Sequence, residues 1–492
     1  MKITVTYGDA LGQDTPLLVY GAWEEEALPA AIAALAEDGD WSGKFKHTLL
    51  LYPRGVLPAR RLLLVGLGKR VAFSANRLRE AAAVAAQRAR DLKVERYSFE
   101  LPTTERLALA DAAQALVEGS LLGLYRFQQY KTDLGPEDQH EIAEITVISI
   151  IQDDAIAHGA AVGEVVARGV ALARDLANGP GNDITPTKLG EVAQAIGERT
   201  GIQVTVLGPD ELRQQGFGGL MGVAQGSQQP PRFIIMEHGA GGQGGSVPAG
   251  APTVCLVGKG ITFDTGGISL KPADHMDDMK MDMGGAAAVL GAMQVVGELK
   301  LPLHVVGLIG SAENMPSGTA YKPGDILKTL SGKTIEVLNT DAEGRVVLAD
   351  ALFYAQRYQP DGIIDLATLT GAVMVALGPH AIGVMSNDDS LCDRVLRAGE
   401  ASSERAWRMP LWEPYQEMVK SDIADVKNAA GRPAGAITAA AFLSNFVGGL
   451  PWVHMDIAGT AWTDRPAIPY APKGATGVGV RLLVQALREW AG

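Results

Sequence analysis

Two stretches concentrate polar residues in an otherwise apolar chain: VGKGITFDTGGISLKP at 257–272, with DDMKMDMGG following from Asp277, and NTDAEGR at 339–345. Lys259, Asp264, Lys271, Asp282, Asp341, Glu343 and Arg345 come within reach of one another if the strands that carry them are neighbours. Four carboxylates cannot share a buried pocket as bare anions, because desolvation and mutual repulsion would protonate some of them. Something cationic must sit there. Oxygen-rich clusters suit hard or borderline divalent ions, and four carboxylates carry charge enough for two, so a two-metal hydrolytic site is the natural reading. Any one of these acids taken alone would more ordinarily cap a helix or line a solvated loop. The whole set, with two lysines after strand-like apolar runs, is what points to chemistry.

Both segments, residue for residue, resemble the signatures of the leucine (leucyl) aminopeptidase family, also called cytosol aminopeptidases. The similarity runs from Ala173 to the C-terminus. ARDLANGPGND resembles the family's entry into its catalytic domain, with Gly179 and Gly181 in place of the more usual Thr and Ala. The resemblance implies that Asp264 and Glu343 bridge two metal ions, that Lys259 and Asp282 complete one site, and that Asp341 completes the other, partly through its backbone carbonyl. An ammonium has no lone pair, so Lys259 must be neutral to ligate; an adjacent dication would depress its pKa. The competing reading makes Lys259 a counter-ion to the acids. Lys271 would keep its proton and stabilise the oxyanion of a tetrahedral intermediate. Arg345 is no base; in the resembled family this position holds bicarbonate, which relays the proton from metal-bound water, and the alternative is a structural salt bridge. Met279, with Thr368, Leu369 and Gly371 of LATLTG, resembles the family's side-chain pocket and substrate-binding loop, and Asn339 joins this substrate-binding set. Met276, Met281 and Met283 read as core filler.

What the resemblance implies is a dinuclear-metal aminopeptidase, binding two divalent ions per subunit (Mn²⁺ or Zn²⁺), that releases Leu and other bulky apolar residues from peptide N-termini through a metal-bound hydroxide. One ion would take the free α-amine, which only an N-terminal residue supplies. A homohexamer is implied by the same resemblance. Competing functions are a DNA-binding architectural role, carried by some bacterial members of the family, and a dipeptidase or Cys-Gly hydrolase role on the same site. No His-Glu-x-x-His occurs, and His275 reads as a loop residue.

Composition bounds these readings. With 492 residues, 47% hydrophobic and 20% charged, the chain suits a two-domain globular enzyme with a large core. A net charge of −13 argues against nucleic-acid or anionic-membrane partners, which need clustered cationic charge. Only Cys255 and Cys392 occur, which excludes a disulfide scaffold and fits a reducing cytosol. The N-terminus alternates like a strand and meets Asp9 early, unlike a signal peptide. The weakly polar run at 284–297 is too short to span a bilayer. A cytoplasmic protein is expected.

The elements that must position the motifs follow from periodicity. Over 1–151, runs such as KITVTYG, RLLLVGLG and ITVISII alternate with helical segments at 25–36, 76–92 and 108–124, predicting a three-layer α/β domain, which the family resemblance implies is the smaller one and serves assembly or support. A connecting helix is expected over 152–178, ended by Gly and Pro. The larger catalytic α/β domain, 179–492, should hold a mixed, mostly parallel central sheet covered by helices, with Lys259 and Asp264 after one strand, Asp341 and Glu343 after TIEVLN, and Thr368 after a third. The segment 128–140 reads as a polar, mobile loop, and 239–252 as a surface loop lacking the glycine spacing of a phosphate cradle.

Overall fold

The computed structural model describes residues 1–37, 39–135, 139–239, 247–248, 250–466 and 468–491. The loops expected at 128–140 and 239–252 lie in part outside these residues. Two compact units divide the chain: Met1–Arg168 with Arg465–Lys473, and Gly169–Asp464 with Gly474–Gly492.

In the first unit, strands β1 (Lys2–Tyr7), β2 (Leu18–Trp23), β3 (Thr48–Leu51), β4 (Leu62–Gly68), β5 (Arg96–Glu100) and β6 (Glu144–Ser149) form one sheet in the order β1-β6-β5-β2-β4-β3. All pairs are parallel except β3 with β4. β4 is buried along its whole length, as a strand covered on both faces must be. The alanine-rich helices Ala75–Asp91 and Leu109–Leu124 bury their small side chains in the core on one face. The helix expected over 25–36 shrinks to one turn, Ala30–Ala33. Pro29 cannot continue a helix begun at Glu25 and disfavours helical backbone at Leu28 before it, and Glu25 itself takes φ 68°. The short strap Arg465–Lys473 is tied into this unit by Tyr470, 1% exposed, whose hydroxyl donates to Asn76 Oδ1 at 2.6 Å, and by Gln87 Nε2, which donates to the Pro469 carbonyl at 2.8 Å.

The helix Asp154–Asn178 is long and apolar enough to cross a membrane, but half of its most apolar window is buried and its Arg174 is 1% exposed. The second unit is built on β7 (Gln203–Leu207), β8 (Arg232–His238), β9 (Thr253–Asp264), β10 (His304–Asn314) and, beyond the small strands β11 (Ile326–Lys328) and β12 (Thr334–Glu336), on β13 (Gly362–Ala367), β14 (Ile382–Ser386), β15 (Ala406–Arg408) and, after β16 (Val426–Lys427), β17 (Trp452–Asp456). The large sheet runs β15-β14-β17-β13-β9-β10-β8-β7. Its centre, β17-β13-β9-β10, is parallel, whereas β14 against β17 and the pairs to β8 and β7 are antiparallel. The four central strands therefore end on one edge, at Asp456, Ala367, Asp264 and Asn314.

Three expectations change in detail. Lys259 does not follow a strand but lies inside β9, which continues to Asp264 in register with Asn314 of β10, past an irregularity at Ala312/Glu313. TIEVLN contributes β12 to a separate three-stranded sheet with β11 and β16, because its strand is only three residues long and pairs with short partners. Of the methionines read as core filler, Met283 is fully buried, but Met276 and Met281 are only half-buried, since the 3-10 turn Met276–Met281 lies at the surface with no buried residue.

Candidate active site

β9 carries two of the candidate residues. Lys259 is 3% exposed, and Asp264 closes the strand. The chain then doubles back through Gly266 and Gly267, whose φ angles of +85° and +68° are ones other L-residues rarely adopt. The turn is fixed by the Lys271 amide donating to the Thr265 carbonyl at 2.9 Å. It returns the Lys271 ammonium to Asp264 Oδ2, 2.8 Å away, and into close contact with Asp341. Asp264 Oδ1 accepts from Asn314 Nδ2 at 2.8 Å and from the Gly266 amide at 2.9 Å, so both of its oxygens are engaged.

Thr340 joins the two motifs: its hydroxyl donates to the Gly266 carbonyl at 2.6 Å and accepts from the Ser269 amide at 2.8 Å. Asn339 Oδ1 takes the Asp341 amide at 2.9 Å. Glu343 opens the helix Glu343–Ala355, where the unpaired amides of the first turn favour a carboxylate. Its Oε1 lies 2.8 Å from Lys259 Nζ, and Asp282 Oδ2, at the end of the 3-10 turn, lies 2.7 Å from the same nitrogen. Lys259 also donates to the Thr368 carbonyl at 3.1 Å, and the Thr368 hydroxyl donates to Asp282 Oδ1 at 2.7 Å. Oxygens of Asp264, Asp341 and Glu343 all lie within 4.8 Å of one another, a spacing one cation can span.

The electrostatics are those of crowded, buried charge. Burial, with Glu343 and Asp264 adding, pushes Asp282 well above the usual carboxylate range against the pull of Lys259. Burial and Asp264 likewise raise Glu343, and burial raises Asp341 despite the adjacent Lys271. Burial acts to lower Lys259 and Lys271, yet the surrounding carboxylates win and hold both above the ordinary lysine value. Arg345 is 9% exposed and is pulled down to about 10 by burial, with Glu343, Asp456 and Asp341 resisting. It donates from Nη1 to the Asn428 carbonyl at 2.8 Å, while its buried Nε has no partner among the described residues.

Of the substrate-binding candidates, Thr368 touches the lysine–acid cluster directly. Gly371 starts the helix Gly371–Leu377, capped by Thr370, and Leu369 is half-buried against the core. Met279 is half-buried on the 3-10 turn that carries Asp282.

Four positioning residues were not anticipated. Asn314 holds Asp264 and the Thr340 carbonyl. Asn428, fully buried, accepts from the Leu338 and Asn339 amides through Oδ1 and donates to the Asn339 carbonyl at 2.7 Å, so it clamps the second motif as well as Arg345. Asp456, 1% exposed, accepts from the Thr370 hydroxyl at 2.6 Å and the Leu369 amide at 3.1 Å. Thr340 makes the fourth. Only Asp456 carries a local signal, an acid closing an apolar strand; the others act across long sequence separations.

Four carboxylates and two lysines, gathered where parallel strands end in an α/β unit, define a hydrolase whose donors suit hard divalent metals. The catalytic-domain profile of the cytosol aminopeptidase family matches residues 171–484 and its N-terminal-domain profile matches 12–134. The chain belongs to the cytosol (leucyl) aminopeptidase family of metal-dependent peptidases and is an aminopeptidase. A probable cytosol aminopeptidase of Roseiflexus castenholzii is 63% identical over 100% of this chain and 99% of its own, and one of Geobacter sp. (strain M21) is 46% identical over 99% and 100%. Among solved structures, the bottromycin maturation enzyme BotP in complex with Mn superposes with TM-score 0.87 at 34% identity, covering 97% of this chain and 100% of its own. A mutant tomato leucine aminopeptidase does so with TM-score 0.88 at 34% identity, covering 99% and 96%.

Proposed function

We propose that this aminopeptidase works with two divalent ions, Mn²⁺ or Zn²⁺, held by Lys259, Asp264, Asp282, Asp341 and Glu343, and that it prefers Leu and other bulky apolar N-terminal residues. One observation carries the reading: Lys259 and Lys271 face four carboxylates, which leaves two negative charges in a largely buried cluster unmatched. Burial at that charge is tolerated only with added cations. Burial first, and the neighbouring carboxylates second, push Asp282, Glu343 and Asp341 upward, which an added cation would relieve.

When bound, such ions supply Lewis acidity toward the scissile carbonyl and a water nucleophile at neutral pH. The chain's own groups do the rest. Lys271, folded back over Asp264 and Asp341, keeps its proton and meets negative charge developing on the carbonyl oxygen. Arg345, whose Nε has no partner among the described residues, presents a buried donor to a small anion such as bicarbonate, which can carry a proton that arginine itself cannot release. Met279, Asn339, Thr368, Leu369 and Gly371 would shape the side-chain pocket and substrate loop, a reading supported by Thr368 holding Lys259 and Asp282.

The remaining proposals concern organisation. Residues 1–151 support assembly, 152–178 connect, and 179–492 carry the chemistry. A homohexamer is the assembly that membership of the family suggests, and exposed Trp407, Trp412 and Val375, at 66%, 66% and 90%, offer apolar surface for contact between copies. The cytosol in the relatives' names supports a cytoplasmic location. Elemental analysis of purified protein, with activity measured after chelation and after re-addition of Mn²⁺ or Zn²⁺, tests the metal reading. Two ions per chain and metal-restored turnover are expected; full turnover in verified metal-free protein overturns it.

A further inference from the structure

Behind the lysine–acid cluster lies a second buried polar group that the chemistry above does not use. Asp365 of β13 and His454 of β17 are register partners in the parallel sheet, and both are 0% exposed. Asp365 Oδ1 lies 2.6 Å from His454 Nδ1, and Asp365 Oδ2 accepts from Trp452 Nε1 at 2.6 Å. Both carboxylate oxygens therefore receive donors, and Nδ1 must carry a hydrogen. His454 Nε2 has no partner among the described residues.

Side chains two apart on a strand share a face, so Trp452, His454 and Asp456 point to one side of β17. That side thus buries two carboxylates, Asp365 and Asp456, with His454 between them. Asp456 accepts only from donors: the Leu369, Thr370 and Ala458 amides and the Thr370 hydroxyl. Four donors on one carboxylate call for the ionised form. The loop they pin contains Thr368, whose carbonyl receives Lys259 and whose hydroxyl holds Asp282.

We infer that His454 is a cationic positioning residue of this active site: gripped by Asp365, its imidazolium keeps Asp456 ionised, and Asp456 fixes the Leu369–Thr370 amides that set Thr368 against Lys259 and Asp282. Because Nε2 makes no hydrogen bond among the described residues, the ring acts on Asp456 through charge rather than contact. The charged groups acting on the ring are Asp365, Asp456 and Arg345. Burial works against its proton and Arg345 opposes it, but Asp365 and Asp456 outweigh both and raise it above an ordinary histidine. The assignment rests on the peptidase reading for its consequence, though not for the charge of the ring.

Two measurements on the full chain test it. In protein labelled with ¹⁵N-histidine, one ring should show both nitrogens protonated at neutral pH, and His454→Gln should remove that signal. If no ring is doubly protonated at neutral pH, or the signal lost in His454→Gln comes from a ring with one bare nitrogen, the proposal is overturned, and this readout needs no activity. Against leucine amide, His454→Gln and Asp456→Asn should each lower kcat about tenfold to a hundredfold, the range seen when partners behind metal ligands are lost. The double variant should fall no further than the worse single one, since both break one path. Losses that multiply, or an undiminished kcat in folded His454→Gln, overturn it. Wild-type turnover of leucine amide in the same assay separately tests the peptidase reading.

Discussion

Gly344 lies flat against the Lys259 side chain: a Cβ built on it would fall 2.5 Å from Cε and 2.7 Å from Nζ. Its neighbour Glu343 places Oε1 2.8 Å from the same nitrogen. The Glu-Gly-Arg order is therefore steric as much as chemical, with an acid to meet the amine and a gap to admit it. Lys259 has no slack to yield, being held also by Asp282 and Thr368.

Gly344→Ala should for this reason fold and yet fail. Alanine suits a helix better than glycine, and overpacking costs about 1–3 kcal/mol, which a large core can absorb. The methyl group would push the Lys259 nitrogen from its partners. We expect kcat to fall by about tenfold or more with a near-native circular dichroism spectrum; wild-type turnover would mean that Lys259 relocates without consequence.

Lys259→Arg separates ligand from counter-ion. A counter-ion survives the exchange because the charge is kept, whereas a ligand needs a lone pair that guanidinium does not offer. The variant should bind one ion fewer per chain and lose most activity, with no recovery at raised pH. Full metal stoichiometry with near-normal turnover would leave Lys259 a counter-ion.

Lys271 is the more accessible of the two lysines, with a side chain 22% exposed against 4%. Lys271→Ala should retain its metals and lose rate on the order of 10²–10³, the cost of one oxyanion donor in well-studied enzymes. Loss of both ions, measured by elemental analysis, would reassign it to holding Asp264 and Asp341.

Acetylation of a leucyl peptide's N-terminus should abolish its hydrolysis, since an amide nitrogen is a poor ligand and the free amine is what the site would recognise. Chromatography of the products decides; undiminished cleavage of the blocked peptide points to an endopeptidase.

Glu100, in the first unit, should make stability depend on pH. Burial, aided by Asp9, lifts it from 4.5 to about 7. The native state thus holds this proton more tightly than the unfolded chain does. Its contribution is complete below the unfolded value and is lost as pH rises through 7, by up to roughly 3 kcal/mol. Glu100→Gln should gain stability over wild type at about pH 8 and little at about pH 5 in urea titrations. An equal difference at both pH values would refute the assignment.

How much of this was legible beforehand depended on distance along the chain. The alternating runs of the first unit became β1 to β6, and the polar motifs converged because Thr340 ties the turn after β9 to the second motif and the helix Glu343–Ala355 packs against β9. Local pattern could not reveal that β9 continues through Lys259 to Asp264, since glycines and a threonine interrupt its apolar run. Nor could it reveal Asn428, which holds Leu338 and Asn339 from far downstream. Helical and strand periods report which face is buried, not which distant partner covers it.

The strap Arg465–Lys473 bears on heredity as well as architecture. It packs with the first unit although the chain on either side belongs to the second, so the two are joined at three crossings rather than one. The N-terminal profile ends at residue 134 and gives no hint of this. A recombination event that exchanged the N-terminal stretch alone would strand Tyr470 beside a foreign Asn76 position and separate Pro469 from Gln87. The front third of this gene is thus no free-standing cassette, and it should descend together with the rest.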